Sequence, residues 1–413
     1  MQIAFINRYF HPDLSGAAQM LTQLAEDLDA KGETVTVITS GTAHVPETVF
    51  LPKRSLHKGI RIIRVRSTHL GSQRAWSRMV DYTSFYLAAL WTAFRLHGQN
   101  ALVVLSDPPL LSVLAVIVGT LKHVKTYCWL HDVYPEIAIR ANVLPKGFAA
   151  NWLRQVARWS LRRMQRVVVL GRCMQQHLLK NGLSGHNITQ IPNWADGKEI
   201  RPLDRNDNEF LDRHALKGRF VVMYSGNLGT VHEFATIVEM IRQTQMYADI
   251  AYCFIGDGPQ KLSLIETVRR EGFQNVLFLP YEMKERLRVS LTAADLHLVS
   301  LRREMAGLSV PSKLYGIMAA GRPILFLGPE QSESAMLIQE AQCGAVISPG
   351  DVAGAVGALL HFYRRRNASN PEGNAARAYF ERYCDRATAT ERFHHVLREA
   401  LSSETRNAAS SAT

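Results

Sequence analysis

In the stretch GLSVPSKLYGIMAAGRPILFLG, residues 307–328, a proline, a serine and a lysine stand ahead of a periodic apolar segment closed by Gly321-Arg322-Pro323. Pro311 suits a first helical turn, Ser312 can cap orphan backbone N–H groups, and Gly321 followed by Pro323 ends a helix. The run Ile324-Leu325-Phe326-Leu327 has the unbroken apolar character of a strand buried on both faces. A helix start carrying Ser312 and Lys313 suits an anion. Further backbone N–H groups come from three glycine loops: PDLSGAA with Gly16, SGNLGT with Gly226 and Asn227, and IGDGP with Gly256 and Gly258. None is a GxGxxG fingerprint or a P-loop, and each alone reads equally well as a tight turn. Together they supply what a diphosphate requires.

These loops follow apolar runs in two successive α/β series. The first has IAFI (3–6), TVTVIT (34–39), IRIIRV (60–65), ALVVL (101–105), TYCWL (126–130), VVVL (167–170) and ITQIP (188–192). The polar stretch 196–210 connects it to a second series: RFVVMYSG (219–226), IAYCFIG (250–256), VLFL (276–279), DLHLVSL (295–301), PILFL (323–327) and AVI (345–347). Helical patterns between most of the runs imply parallel sheets wrapped by helices, in two Rossmann-like halves. Ligands of such sheets bind beyond the carboxyl ends of the strands, where the glycine loops lie.

A chain of 413 residues, 47% hydrophobic and 20% charged, is globular and of two-domain length. The N-terminal MQIAFINRYF lacks the layout of a signal peptide and reads as a first strand. Five scattered cysteines make no metal spacing and imply reduced thiols, hence cytoplasm. PPLLSVLAVIVGTL (108–121) falls short of the roughly 20 residues that span a bilayer. Residues 1–200 hold 23 Lys and Arg against 12 Asp and Glu, whereas the remainder balances 25 against 24. The basic half therefore faces an acidic partner: a membrane surface, a phosphorylated substrate or nucleic acid. Arg154, Arg158, Arg162 and Arg166 recur at helical spacing, with Trp152, Val156 and Trp159 on another side. They form either a solvated face opposite a core stripe or a dock for anionic lipid. Arg74 and Arg78 stand beside a second aromatic-rich stretch. Nucleic acid is disfavoured, because no recognised binding module accompanies the basic residues.

The motifs FHPDLSGAAQMLTQLAEDLDAKGETVTVIT, LHDVYPE, SGNLGTVHEF, FIGDGPQKLSL, AADLHLVSL and VPSKLYGIMAAGRPIL resemble those of retaining, family 4-type glycosyltransferases of GT-B fold. The likeness extends over essentially residues 1–400 and is nearest to bacterial O-antigen and polysaccharide transferases, including the L-fucosamine transferase type. It implies an α/β architecture of two Rossmann-like domains facing across a cleft. The expected division is an acceptor-side domain 1–198, a nucleotide-sugar domain 199–376, a helical segment 377–401 packing back on the first domain, and a disordered tail 402–413. Gly16 would let the backbone approach the donor and acceptor, and His131 of LHDVYPE matches the histidine at the reaction centre. A loop of the form GRLxxxKG gives relatives an Arg and a Lys for the diphosphate; Asn227 and His232 stand at those places.

The family's paired-glutamate signature is altered as well. Glu304, Gly307 and Leu308 fit its first half, but the second Glu falls on Gly316, and the halves agree only with about one helical turn inserted. Lys313 is the candidate for the lost diphosphate charge. Glu304 either bonds donor hydroxyls or is a solvated neighbour of Arg302 and Arg303. His131 and His232 could equally be a strand-end and a cap-region histidine. The sequence presents no carboxylate cluster for a divalent ion, so no cofactor or metal is expected. The expected partners are a nucleotide sugar, a lipid-linked saccharide acceptor and an anionic inner-membrane surface, with the chain cytoplasmic and peripheral on that membrane. Two rival readings are a nucleotide-sugar epimerase and a non-catalytic GT-B scaffold subunit.

Overall fold

The structure is a computed structural model that describes residues 1–44, 48–68, 70, 75–367 and 370–410. It divides into two compact units. Unit one comprises Met1–Pro192 with the chain from Ala389 onward, and unit two comprises Asn193–Thr388.

Unit one contains β1 (Gln2–Ile6), α1 (Gly16–Ala30), β2 (Thr34–Ser40), the antiparallel pair β3 (Thr42–His44) and β4 (Thr48–Phe50), β5 (Arg54–His57) and β6 (Ile60–Val65). There follow α2 (Ala75–Arg95), β7 (Ala101–Leu105), α3 (Leu111–Lys122), β8 (Lys125–Leu130), α4 (Glu136–Arg140), α5 (Phe148–Arg162), β9 (Arg166–Val169), α6 (Arg172–Lys180) and β10 (Ile188–Gln190). The main sheet runs β10-β9-β8-β7-β1-β2-β6-β5, parallel except for the antiparallel edge strand β5. Every residue of β7 and all but the first of β1 are buried, as strands covered on both faces require. The strand order reverses between β1 and β7, which makes that point the natural ligand crevice of unit one.

Unit two contains α7 (Glu209–Arg213), β11 (Phe220–Ser225), α8 (Ala235–Gln243), β12 (Ile250–Ile255), α9 (Lys261–Glu271), β13 (Val276–Leu279), α10 (Leu287–Ala293) and β14 (Leu296–Ser300). It continues with α11 (Lys313–Ala319), β15 (Ile324–Leu327), α12 (Glu333–Ala341), β16 (Gly344–Ile347), α13 (Val352–Arg364) and α14 (Pro371–Tyr383), and then α15 (Arg386–Ser410) begins. Its six parallel strands run β13-β12-β11-β14-β15-β16, so the order reverses between β11 and β14. β12, β14 and β15 are wholly buried. Phe220, Val222, Tyr224 and Phe254 pack with Ile237 and Met240 of α8 on one side of the sheet.

The observed division differs from a break at 198 and 376. Asp385 accepts the Gly197 N–H at 2.9 Å, and Arg377 donates to the carbonyls of Ile200 and Ala319 at 2.8 and 2.6 Å. These bonds keep residues 377–388 in unit two. From Ala389 the chain belongs to unit one, where Phe393 meets Trp129 edge-on at 5.1 Å. There the buried Glu33 carboxylate receives both the Met1 ammonium and His394 Nε2 at 2.7 Å. α15 continues to Ser410, so the tail expected to be disordered from residue 402 is helical that far. Its Ala, Glu and Arg content favours the helix.

The helix at 307–328 is shorter than its sequence signals imply. Pro311 and Ser312 precede α11, Ser312 is exposed and already in helical conformation, and its side chain caps nothing. The tight i→i+3 bonds from Leu314 to Pro311 and from Tyr315 to Ser312 take the place of a side-chain cap. Gly321, at φ +64°, ends the helix as the sequence indicates.

Candidate functional site

Unit two's loops converge at the reversal between β11 and β14. Gly226 has φ +124°, Gly256 +131° and Gly258 +149°. A Cβ on Gly256 would lie 2.3 Å from the Gly226 carbonyl oxygen, and one on Gly258 would lie 2.5 Å from Asn227 Oδ1. Only glycine lets these two loops stack so closely. The Gly226 N–H donates to Ile255 O and the Leu228 N–H to Asp257 O, both at 2.8 Å, locking the loops together.

Lys313, the first residue of α11, reaches back over this platform. Its ammonium lies 3.4 Å above the centre of the Tyr224 ring and 3.4 Å from the Asn227 carbonyl oxygen, while the Tyr224 hydroxyl donates to that same carbonyl at 3.0 Å. Among the described residues no carboxylate pairs with Lys313. The side chain as a whole keeps some exposure, but its ammonium is desolvated, and that burial holds its pKa well below the usual lysine value. His232 stands edge-on to Tyr224 at 5.9 Å, with Nδ1 2.7 Å from the Ser300 carbonyl oxygen. That contact assigns the ring proton to Nδ1. Burial, with the nearby Lys313 adding to it, pulls the His232 pKa down to about 3, so the ring is neutral. The cluster thus joins an amine that has no carboxylate partner among the described residues to a neutral imidazole.

The remaining expected donor contacts lie apart from Lys313 in character. Glu304, in the single 3₁₀ turn Arg303–Met305, is ion-paired with Arg302. Arg302 is anchored by its N–H to the Val231 carbonyl at 2.9 Å. Gly307 turns the chain at φ +74°, and Leu308 is fully buried with its N–H already bonded to Met305 O at 3.0 Å. Leu308 therefore acts as core, and its amide is not free for a phosphate.

In unit one, Gly16 is the first residue of α1, after a turn in which Asp13 accepts the Ser15 N–H at 2.8 Å. His131 follows β8. Its N–H donates to Ser106 Oγ at 3.1 Å, its ring leans on Trp129 at 4.6 Å, and its buried Nε2 has no hydrogen-bond partner among the described residues. Burial pulls its pKa down to about 4, leaving a neutral imidazole. Around the reversal between β1 and β7 lies a polar cluster that the motifs did not single out. Arg8, just beyond β1, sits 5.3 and 5.0 Å from the Tyr9 and Tyr82 rings and 3.9 Å from Asp81, and its N–H donates to Asp107 O at 3.0 Å. Burial pushes the Asp107 carboxyl up to about 6, with Arg8 opposing and Asp132 and Asp13 adding. Tyr86 and Tyr134 have hydroxyl pKa values raised by burial, and the buried Tyr86 hydroxyl has no partner among the described residues. The sequence signal was available: NRY, SD and HDVY each follow a core strand.

The four spaced arginines are tied to their own chain. Arg154 lies 3.9 Å from Glu136 and donates to Asn151 at 2.8 Å; Arg158 bonds Asn181. Arg162 donates to Gly182 O, and Arg166 to Gln165 O, both at 3.0 Å. The helix buries Ala150, Ala157, Ser160 and Leu161, while Trp152 and Trp159 face outward. Small residues win the inner face because α5 packs closely on α3, with Ser160 and Ser112 hydroxyls 2.7 Å apart. Arg74 lies outside the described residues. All five cysteines are buried, and none is in a disulfide.

Residues 15–194 match the glycosyl transferase 4-like domain, and residues 219–365 match the glycosyl transferases group 1 family. WbjE of Pseudomonas aeruginosa, named as a probable glycosyltransferase, is 31% identical over 267 residues, which span 62% of this chain and 62% of that protein. WcaI of Escherichia coli (strain K12), named for a glycosyl transfer in colanic acid biosynthesis, is 23% identical over 419 residues, spanning 96% of this chain and all (100%) of that one. Among solved structures, sucrose-phosphate synthase of Thermosynechococcus elongatus superposes with a TM-score of 0.77 at 16% identity, covering 98% of this chain and 100% of that one. Anabaena HepE in complex with UDP-glucose gives 0.73 at 16% identity, covering 98% and 100%. WaaG, a glycosyltransferase involved in lipopolysaccharide biosynthesis, gives 0.70 at 16%, covering 94% and 98%. These likenesses establish the fold as GT-B.

Proposed function

The chain joins a glycosyl transferase 4-like domain to a glycosyl transferases group 1 domain in the GT-B fold, and we propose that it moves a sugar from a nucleotide-sugar donor to a lipid-linked saccharide. The observation that carries this reading is Lys313, which has no carboxylate partner among the described residues and is held over Tyr224 beside the Gly226 and Gly256 loops. A donor's diphosphate is the anion that such a cation and such loops accommodate. HepE, whose structure contains UDP-glucose, supports a nucleotide sugar as the ligand class. WcaI and WaaG support a role in bacterial cell-surface polysaccharide assembly.

In the proposed reaction the bond between the sugar's anomeric carbon and the diphosphate oxygen breaks, and a bond from that carbon to an acceptor hydroxyl oxygen forms. The hydroxyl proton ends on the leaving diphosphate. Negative charge grows on that diphosphate as positive charge grows on the sugar, and Lys313 answers the former. Neutral His131 contributes a ring nitrogen for the donor sugar, while the Arg8, Asp107 and Tyr86 cluster holds acceptor hydroxyls. The transfer proceeds with retention, carries a hexosyl or N-acetylhexosaminyl group of the L-fucosamine type, and takes place at the cytoplasmic membrane surface without a metal. A thermal-shift screen of UDP-, GDP- and dTDP-sugars, followed by NMR of the product's anomeric signal in excess chelator, tests it. Stabilisation by one donor class and a product with the donor's anomeric configuration are expected. Donor binding without transfer to any acceptor would leave the scaffold role, and interconversion of the free sugar nucleotide would make the chain an epimerase.

A further inference from the structure

Helices α2, α3 and α5 lie side by side on unit one, and each turns apolar residues inward. Phe85, Ala89 and Ala93 are buried on α2, Leu114, Ala115 and Val118 on α3, and Ala150, Ala157 and Leu161 on α5. The outward faces are not the polar surfaces such helices ordinarily present. Met79, Leu87 and Trp91 form an exposed stripe on α2, with Trp91 60% accessible. Leu121 stands out from α3 at 66%. α5 presents Phe148 at 88% and Trp152 at 56%, with Trp159 further along the same side. A soluble monomer rarely exposes so many large apolar side chains on neighbouring helices without a partner.

The charge around them identifies that partner. The Arg95 guanidinium lies 4.4 Å from the centre of the Trp91 ring, and Arg163 lies 4.6 Å from that of Trp159. Trp91 and Trp159 are therefore each paired with a cation, the combination that suits the boundary between acyl chains and anionic headgroups. A second copy of the chain would bring arginine against arginine across the same face. Among the described residues no helix is long and apolar enough to cross a membrane, so contact has to be in the plane of the surface.

We propose that the α2–α3–α5 face of unit one docks on an anionic lipid bilayer, inserting Leu87, Trp91, Leu121, Phe148 and Trp152 at headgroup depth while Arg95 and Arg163 meet lipid phosphates. The arginines at 154, 158, 162 and 166 are not its main cations, because they are engaged within the chain. Docking here gives the lipid-linked acceptor of the transfer reading its surface, and it can be measured without any transfer. α2 serves both purposes, since its Tyr82 and Tyr86 belong to the polar cluster and its Leu87 and Trp91 face outward.

The test uses the full chain and vesicles of phosphatidylglycerol and phosphatidylethanolamine, against vesicles of phosphatidylcholine alone. The fourfold variant Leu87→Ser, Trp91→Ser, Phe148→Ser, Trp152→Ser changes only exposed positions, and circular dichroism confirms its fold. Wild type is expected to co-sediment with the anionic vesicles and to lose tryptophan fluorescence to brominated lipid. The variant should partition at least tenfold less while its transfer to a water-soluble acceptor analogue is unchanged. If the variant misfolds, Trp91→Ser and Trp152→Ser singly provide the same readout. Equal partitioning of wild type onto both vesicle types would overturn the proposal, and so would undiminished binding by the folded variants. A wild-type dimer that the substitutions dissolve would overturn it in favour of self-association. Docking with no transfer activity in any assay would instead refute the transferase reading and leave this surface standing.

Discussion

Replacing Lys313 by Met removes the ammonium and keeps most of the apolar stem over Tyr224. The Lys313 amine has one carbonyl at 3.4 Å, an aromatic face at 3.4 Å and, among the described residues, no carboxylate to compete with an anion for it. One charge-assisted contact is worth about 1.5–3 kcal/mol. At about 1.4 kcal/mol per decade, the donor Kd should rise roughly 10- to 150-fold. The free protein should respond in the opposite sense. The folded pKa of Lys313 lies below its unfolded value, so the unfolded chain binds more protons between the two and stability rises with pH across that window. At every pH below the unfolded pKa the lysine is a net penalty, hence Lys313→Met should match or exceed wild-type stability at neutral pH. Calorimetric titration of the donor that emerges from the nucleotide-sugar screen, alongside thermal denaturation without ligand, reads both effects. An unchanged donor Kd in a variant of unchanged or higher Tm would remove Lys313 from the phosphate site and, with it, the principal support for the donor assignment.

Asp107 makes a pH prediction of defined sign. Its carboxyl pKa is raised from 3.8 to about 6, so the stability it contributes is complete below pH 3.8 and lost as pH rises through about 6. The wild-type Tm should therefore fall across that window relative to Asp107→Asn, and parallel Tm–pH curves would show that the carboxyl is not buried as described. Gly256→Ala places a Cβ 2.3 Å from the Gly226 carbonyl at φ +131°, which should cost about 1–3 kcal/mol of stability and weaken donor binding. A variant with wild-type Tm and donor affinity would mean that the stacking of the two loops is not needed.

Apolar runs made the two sheets readable, because strands covered on both faces leave an unambiguous signature in Ile3–Ile6, Ala101–Leu105 and Ile324–Leu327. The edge strand β5, with Arg54 and His57 and one face wet, carried no such signature and was missed. Lys313 was legible as a cation near a glycine loop, but Tyr224 beneath it was not, since an aromatic at a strand end looks like any core residue. The α5 stripe misled in an instructive way. Of the two alternatives the sequence left open, a solvated arginine face would put Trp152 and Trp159 in a core stripe, yet the inner face was decided by volume, and Ala157 and Ser160 fit against α3 where an indole cannot.

The two strand-order reversals carry opposite chemistry on the same architecture. At the carboxyl ends of β11 and β14 the loops present Lys313, which has no carboxylate partner among the described residues, and a histidine held neutral, a pair that favours a phosphate. At β1 and β7 the titratable groups are Asp107 with Asp13 and Asp132 nearby, opposed by Arg8 and surrounded by tyrosine hydroxyls. A diphosphate would meet repulsion there, whereas a sugar hydroxyl can donate to a carboxylate and accept from a phenol. Sequence similarity between the halves would have obscured this, because both present a core strand followed by a short polar turn. The assignment of donor to unit two and acceptor to unit one therefore rests on the sign of the buried charge at each reversal. Exchanging those signs, with Lys313→Glu in one unit and Asp107→Lys in the other, should abolish donor binding in the first variant and leave it intact in the second.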